Sequence, residues 1–239
     1  MLASYETQTQ ALLQAPSSPI PLVPTPTLDI YINNARLQVA AQGSCIRTDP
    51  SFTGVVGNTQ YQFAGINTGL PVGVEGIYRV RQLFYQIPGT TGLVWVAPRP
   101  YDYLSYFATN NPVPISGPPT MWSQYGQGVN GSIVVQPLPD LPYLFIVDAV
   151  GEPSPLGSDS DPEAIPPLWT LAVPFYAAWY AFQSVQRQAD ADLMLKHFQE
   201  QMGLARNAAN PDLIPENWSQ SPETAIMARS DMGAKGAGA

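Results

Sequence analysis

Charge is scarce in this 239-residue chain: Asp, Glu, Lys and Arg together make up 12% of it, about half the usual share. The shortage falls hardest on cations. There are 10 Lys and Arg against 18 Asp and Glu, a net charge of −8, and no Lys or Arg lies between Arg99 and Arg187. Gripping a nucleic acid by phosphate neutralisation needs a basic patch, and the sequence offers none. An acidic surface suits a wall that DNA slides past without sticking. The single cysteine, Cys45, excludes an intrachain disulfide; with the single histidine, His197, it excludes a Cys/His metal site within one chain. Near the N-terminus no basic region precedes an apolar run, so no signal peptide is expected, and the sequon Asn130-Gly131-Ser132 then carries no meaning.

What is present is apolar. At 45% hydrophobic residues the chain can bury a real core. Residues 164–186 carry no charge and are long enough to cross a bilayer. They also contain Pro166, Pro167 and Pro174, follow an acidic flank and run on into a polar amphipathic pattern, so a buried bundle helix is expected rather than a membrane span.

The spacing predicts a short helix over 4–14, with Tyr5, Leu12 and Leu13 apolar, then an extended linker over the proline-rich 16–26. A second helix is expected over 27–42, capped by Thr27, ended by Gly43 and striped by Leu28, Tyr31, Ile32, Ala35, Val39 and Ala40. From 44 to 152 the pattern turns to strands: 58–64, Val74–Gln86, 93–97, 120–125, Ser132–Gln136 and 143–150. Turns are marked by Pro88-Gly89, Gly117-Pro118 and Asn130-Gly131. One or two helical turns fit 101–108. With no long helix between strands, an antiparallel sandwich is expected. Asp161-Pro162-Glu163 has the composition of a helix start, and a short helix should end near Pro166-Pro167. A long helix over 170–209, roughly 50–60 Å if continuous, presents Phe175, Trp179, Phe182, Val185 and Ala189, to be packed against the stripe of the 27–42 helix. Beyond Pro211 the pattern stops and the end reads as a mobile tail. The fold class is therefore α+β: a helical bundle (1–43 and 157–209) with an inserted antiparallel β-sandwich-like module (44–156) and an extended C-terminal arm (210–239).

Four patterns invite a chemical reading. Gly126-Gln127-Gly128-Val129-Asn130-Gly131 matches G-x-G-x-x-G, but a strand-like run ended by Pro137 follows it where a helix is needed, so a glycine-rich hairpin explains it better. Asp159-Ser160-Asp161-Pro162-Glu163 could hold a hard cation, yet it lacks the rest of an EF-hand, and capping explains the same residues. His197 reads as a surface residue. Tyr61, Tyr78, Phe84, Tyr85, Trp95, Tyr101, Tyr103, Tyr106, Trp122 and Tyr125 could form a sugar-stacking platform, though core and interface are the commoner uses. Nothing selects a catalytic pair of carboxylates; no cofactor and no metal are expected. Residues 103–139 hold no charge at all. Within them Trp122 to Gly128, with Gln124, Tyr125 and Gln127 too polar for a core, suits a contact surface.

Several segments carry a resemblance: Tyr31-Ile32-Asn33-Asn34-Ala35-Arg36; Trp122-Ser123-Gln124-Tyr125-Gly126-Gln127-Gly128; Pro137-Leu138-Pro139-Asp140-Leu141-Pro142-Tyr143; Asp161-Pro162-Glu163-Ala164-Ile165-Pro166; Val173-Pro174-Phe175-Tyr176-Ala177-Ala178; and Gln186-Arg187. In this order the chain, from about residue 25 to 210, resembles the head-to-tail adaptor (connector, or head-completion) proteins of short-tailed bacteriophages. The resemblance implies a structural virion protein without enzyme activity. It implies a homo-oligomeric, dodecameric ring between the portal protein and the tail nozzle protein, located in the virion neck after assembly in the host cytoplasm. Genome DNA would pass through without specific binding, and no membrane is involved. It also implies that a C-terminal arm reaches the portal; within that arm Trp218 is the expected first anchor, as a large aromatic among polar neighbours, with Ile226 and Met227 beside it. The alternative is a β-sandwich binding module that recognises carbohydrate or a cell surface through its Tyr and Trp side chains.

Overall fold

A computed structural model describes residues 1–13, 22–110 and 115–209. Most of the 16–26 linker and the whole 210–239 arm lie outside the described residues. The chain divides after Gly203. Two helices come first, α1 (Leu2–Leu13) and α2 (Thr25–Gly43). The strands follow with short helices between them: β1 (Arg47–Thr48), β2 (Ser51–Thr53), β3 (Gln60–Gln62), α3 (Phe63–Ile66), β4 (Val74–Gln86), β5 (Leu93–Pro98), α4 (Tyr101–Asn110), β6 (Met121–Tyr125), β7 (Ser132–Gln136) and β8 (Leu144–Pro153). Then come α5 (Pro167–Thr170), α6 (Val173–Ser184) and α7 (Gln188–Ala209). The class is α+β.

The strands join into one eight-stranded sheet in the order β1-β8-β4-β5-β6-β7-β3, with β2 pairing a second stretch of β8. This corrects the expected antiparallel sandwich in two respects. The sheet is single and curled into a half-barrel, and β5 pairs β6 in parallel through Ala97↔Met121 and Pro98↔Trp122. A parallel neighbour needs a crossover, and α4 supplies it. The curl starts in β4, whose pairing with β8 slips at three places, between Val74 and Gly76, Ile77 and Arg79, and Val80 and Gln82; each irregularity bends and twists the strand. The concave side then encloses a single core in which Phe63, Leu83, Val96, Trp122, Ile133, Tyr143 and Phe145 meet.

The helices form a second layer of contacts. Helices α1, α2 and α6 pack on one another, so the expected pairing of the two apolar helices holds, and Tyr31 stacks on Tyr180 with centroids 5.7 Å apart. The face that α6 buries agrees with the expected stripe only at Phe182: Val173, Ala177, Ala178 and Ala181 are enclosed with it, Phe175 and Trp179 are half-buried, and Val185 and Ala189 are exposed. Small side chains let two helices approach the same helix closely. Pro26 and Pro174 both sit in first turns, where the missing N–H has no helical partner to lose. The N-cap of α2 is Pro24, not Thr27.

Two helical expectations fail. Residues 161–166 are not helical; Asp161 instead accepts the backbone N–H groups of Gly157 and Ser158, both at 2.7 Å, and pins a loop. The continuous helix over 170–209 is broken twice, at Leu171-Ala172 and at Val185-Gln186-Arg187. The second break is a Schellman cap. Gln186 takes the left-handed conformation at φ 61°, and the N–H groups of Arg187 and Gln186 donate to the carbonyls of Phe182 (2.9 Å) and Gln183 (3.1 Å). The Arg187 guanidinium then covers the Phe182 ring at 5.0 Å. Helix α7 folds back along α6, bringing Tyr176 to Phe198 (4.7 Å) and Phe175 to His197 (5.7 Å).

This cap gives a test of opposite sign for the two readings. Gln186→Gly should raise stability by about 1 kcal/mol, because glycine carries no left-handed penalty. In a continuous helix the same change would lower it by about 1 kcal/mol. The shift of the urea midpoint at unchanged slope decides between them.

Candidate functional site

The polar chemistry of the described residues concentrates where α1, α2 and the segment after β8 meet. Arg36 is 1% exposed and its partner Glu163 5% by side chain. The guanidinium binds the carboxylate through two parallel bonds, Nε to Oε2 at 3.0 Å and Nη2 to Oε1 at 2.8 Å. Its Nη1 donates to Asn33 Oδ1 (3.1 Å) and to the Ser154 carbonyl (2.7 Å). Glu163 also accepts from the Tyr5 hydroxyl (2.9 Å) and the Ile165 N–H (3.0 Å), which fills its lone-pair positions. Asn33 clasps Leu156 as a strand would, accepting its N–H at 2.8 Å and donating to its carbonyl at 3.1 Å. Burial, then the charge of Glu163, push the Tyr5 hydroxyl far above its ordinary range, so it remains a donor. With every polar atom committed inside the protein, this is a structural lock rather than a place for a ligand. The acids expected as a possible cation site are consumed in it or beside it. Glu163 holds Arg36, Asp161 holds its loop, and Asp159 accepts the N–H of Ala3 at 2.7 Å. Among the described residues no group of three or more His, Cys, Asp or Glu is placed to hold a metal, and no helix is long and apolar enough to cross a membrane. Burial pushes the Cys45 thiol up to about 12, which keeps it protonated and unreactive at neutral pH.

The contact residues expected between Trp122 and Gly128 separate in the structure. Trp122 is 4% exposed and belongs to the sheet core, a correction: its side chain faces Val135 and its neighbours inside the curl. Gln124 is also withdrawn from the surface role. Its Oε1 accepts the Val80 N–H (2.8 Å), and its Nε2 donates to the Tyr78 carbonyl (3.2 Å) and the Gly126 carbonyl (2.7 Å). It occupies the edge of β4 that β5 leaves open below Leu83, and so holds the two halves of the sheet together. Tyr125 and Gln127 are exposed as expected; Tyr125 lies against Tyr101 with centroids 4.6 Å apart. Trp218, Ile226 and Met227 fall outside the described residues. The G-x-G-x-x-G run is a hairpin loop between β6 and β7. Gly126 and Gly128 turn it at φ 76° and 60°, and at Gly131 a Cβ would overlap the Phe63 ring.

Two apolar surfaces are more exposed, the first of them built around Trp95, Tyr103 and Tyr106 from the aromatic set named above. On the β4–β5 hairpin Leu93 and Trp95 are 54% and 55% accessible. Tyr103 and Tyr106 of α4 stand out beside them in sequence, with Arg99 over the Tyr103 ring at 5.9 Å. On the helical side a groove of about 430 Å³ runs between α1 and α6, lined by Ala11, Leu12, Leu171, Pro174 and Phe175 with Gln8 and Gln201 as its polar groups. A run such as Leu93-Val94-Trp95-Val96 has no polar alternation, so nothing in it marks the outward face.

No protein-family model matches this sequence, and a search of curated proteins finds no match.

The bracing role of Gln124 separates it from Gln127. Gln124→Ala strands the Val80 N–H and the Tyr78 carbonyl and should lower stability by about 1–3 kcal/mol. Gln127→Ala should stay within about 0.5 kcal/mol of the parent. Urea unfolding of both variants checks the contrast; equal effects would contradict it.

Proposed function

We propose that the chain is a structural subunit of a bacteriophage virion, a head-to-tail adaptor whose dodecameric ring joins the portal protein to the tail nozzle protein around the DNA channel. The observation that carries the reading is where its most characteristic segments lie. Tyr31–Arg36 and Asp161–Pro166, far apart in sequence, meet in the Arg36–Glu163 lock. The resemblance therefore rests on the residues that tie the two ends of the architecture together. In this reading the helices are a rigid base, the helical bundle of the adaptor, and the β-module is the part presented to neighbours. The exposed Leu93 and Trp95 and the charge-free stretch over 103–139 suit subunit contacts. The excess of acids suits a channel that must not hold DNA.

A second reading has its own observation. Tyr101 and Tyr125 lie with ring centroids 4.6 Å apart at a tilt of 37°, both side chains exposed, which favours a module that binds carbohydrate or a cell surface through aromatic side chains.

Cryo-electron microscopy of the full chain mixed with isolated portal rings tests the first reading. The expected result is a twelvefold ring on one face of the portal, with no retention of duplex DNA at physiological salt. Salt-sensitive DNA binding, or a glycan-array signal lost in Tyr101→Ala and Tyr125→Ala with no ring on the portal, would overturn it.

A further inference from the structure

The β4–β5 hairpin and the α1–α6 groove are two apolar surfaces that one chain cannot bring together. In the hairpin, Phe84 pairs with Trp95 and Gln86 with Leu93. The strand period puts these four side chains on one face. Leu83, Tyr85 and Val96 line the other face and are buried in the core. The Trp95 face is thus the convex one, open to solvent. Its location follows from the register. The hairpin tip lies beside Leu144, the first residue of β8, whereas α2 meets the far end of β8, where Arg36 binds Ser154 and a shallow hollow is lined by Leu37, Ala41 and Pro153. The length of β8, ten residues at ~3.3 Å each, sets the hairpin tip roughly 30 Å from the helical layer that holds the groove.

The two surfaces match in character. No charged residue occurs from 82 to 98, and none of the groove residues is charged. Interface centres are depleted in charge and anchored by aromatic side chains. The groove offers aliphatic walls from Leu12, Leu171 and Pro174 with the Phe175 ring, and an amide at each side from Gln8 and Gln201. Each chain carries one such hairpin, at one end of β8, and one such groove, in the helical layer whose α2 meets the other end.

We propose that the Trp95 face of the β4–β5 hairpin docks into the α1–α6 groove of a second copy of this chain. The contact is heterologous: different surfaces meet, and each copy keeps its other surface free for the next. Such contacts close into rings or continue as open filaments. The inference rests on the reading of the chain as a ring subunit and names the contact that would build the ring.

Sedimentation velocity of the full chain over a concentration series tests it, with Trp95→Asp and Leu171→Asp as variants and circular dichroism as the check on folding. Leu93→Ser and Leu12→Ser serve as a milder second pair. The parent should self-associate, and each variant alone should lose about thirtyfold or more in association. An equimolar mixture of the two should form a heterodimer and stop there, since one intact hairpin and one intact groove remain. A contact of like surfaces would not be rescued by mixing. A parent that stays monomeric at its highest soluble concentration assigns the hairpin to a different protein and overturns the proposal, as does a mixture that stays monomeric. Rings that form equally well with both variants also overturn it while leaving the ring reading intact. Rescue by mixing, together with open chains that never dock on portal rings, upholds the contact and removes the adaptor reading.

Discussion

Removing a guanidinium and a carboxylate from water costs several kcal/mol for each ion, and in this fold only the partners gathered around Arg36 and Glu163 offset that cost. Four of the five guanidinium donors are used, on Glu163, Asn33 and Ser154. The carboxylate takes bonds from Arg36, Tyr5 and Ile165. The partners come from α1, α2, the strand end after β8 and the loop before α5. Apolar packing alone would let α2 rotate or slide on α6, because the small residues of α6 present a smooth face. A bidentate pair has one geometry and removes that freedom. The chain leaves the helices at Gly43, builds the sheet and returns at Pro153, and the lock fixes how its end rejoins its beginning.

The sheet depends on a smaller device of the same kind. The irregular pairing of β4 with β8 curls the sheet, and β5, which pairs only Leu83 to Gln86 of β4, leaves the rest of that edge without a neighbouring strand. Buried backbone groups need partners, and the Gln124 side chain reaches across to supply them. Polar side chains thus stand in for missing backbone twice, Gln124 inside the curl and Asn33 on Leu156. The surface left over is unusually poor in charge, and large apolar groups remain outside both on the β4–β5 hairpin, Trp95 and Leu93, and on the helical side, Ile30 and Leu171.

Where periodicity was unambiguous the sequence was readable. Strands β4 and β7 have the bounds that their apolar runs and flanking turns indicate, and α2 differs by two residues at its start and one at its end. The break in the long helix was hidden because a left-handed C′ residue is usually glycine, and here it is Gln186; its signal, the bonds from Arg187 and Gln186 back to Phe182 and Gln183, exists only in three dimensions. The parallel pair of β5 and β6 was hidden because the crossover helix α4 is aromatic and short. Asp161-Pro162-Glu163 has a cap's composition, but Glu163 is drawn to Arg36, and a buried charge outweighs a local preference. The contact residues suffered from the same limit. Trp122 and Trp95 both sit in apolar strand runs, and only the curl of the sheet decides that one faces in and the other out.

The lock is tested most directly by a double-mutant cycle on Arg36→Met and Glu163→Met, with stability taken from urea unfolding. Each single change leaves a buried charge without its partner and should lower stability by about 3–5 kcal/mol. The double variant should recover much of that loss, a coupling above about 2 kcal/mol. Single losses below about 1 kcal/mol that simply add would contradict the claim that this pair fixes the segment after the sheet to the helices before it.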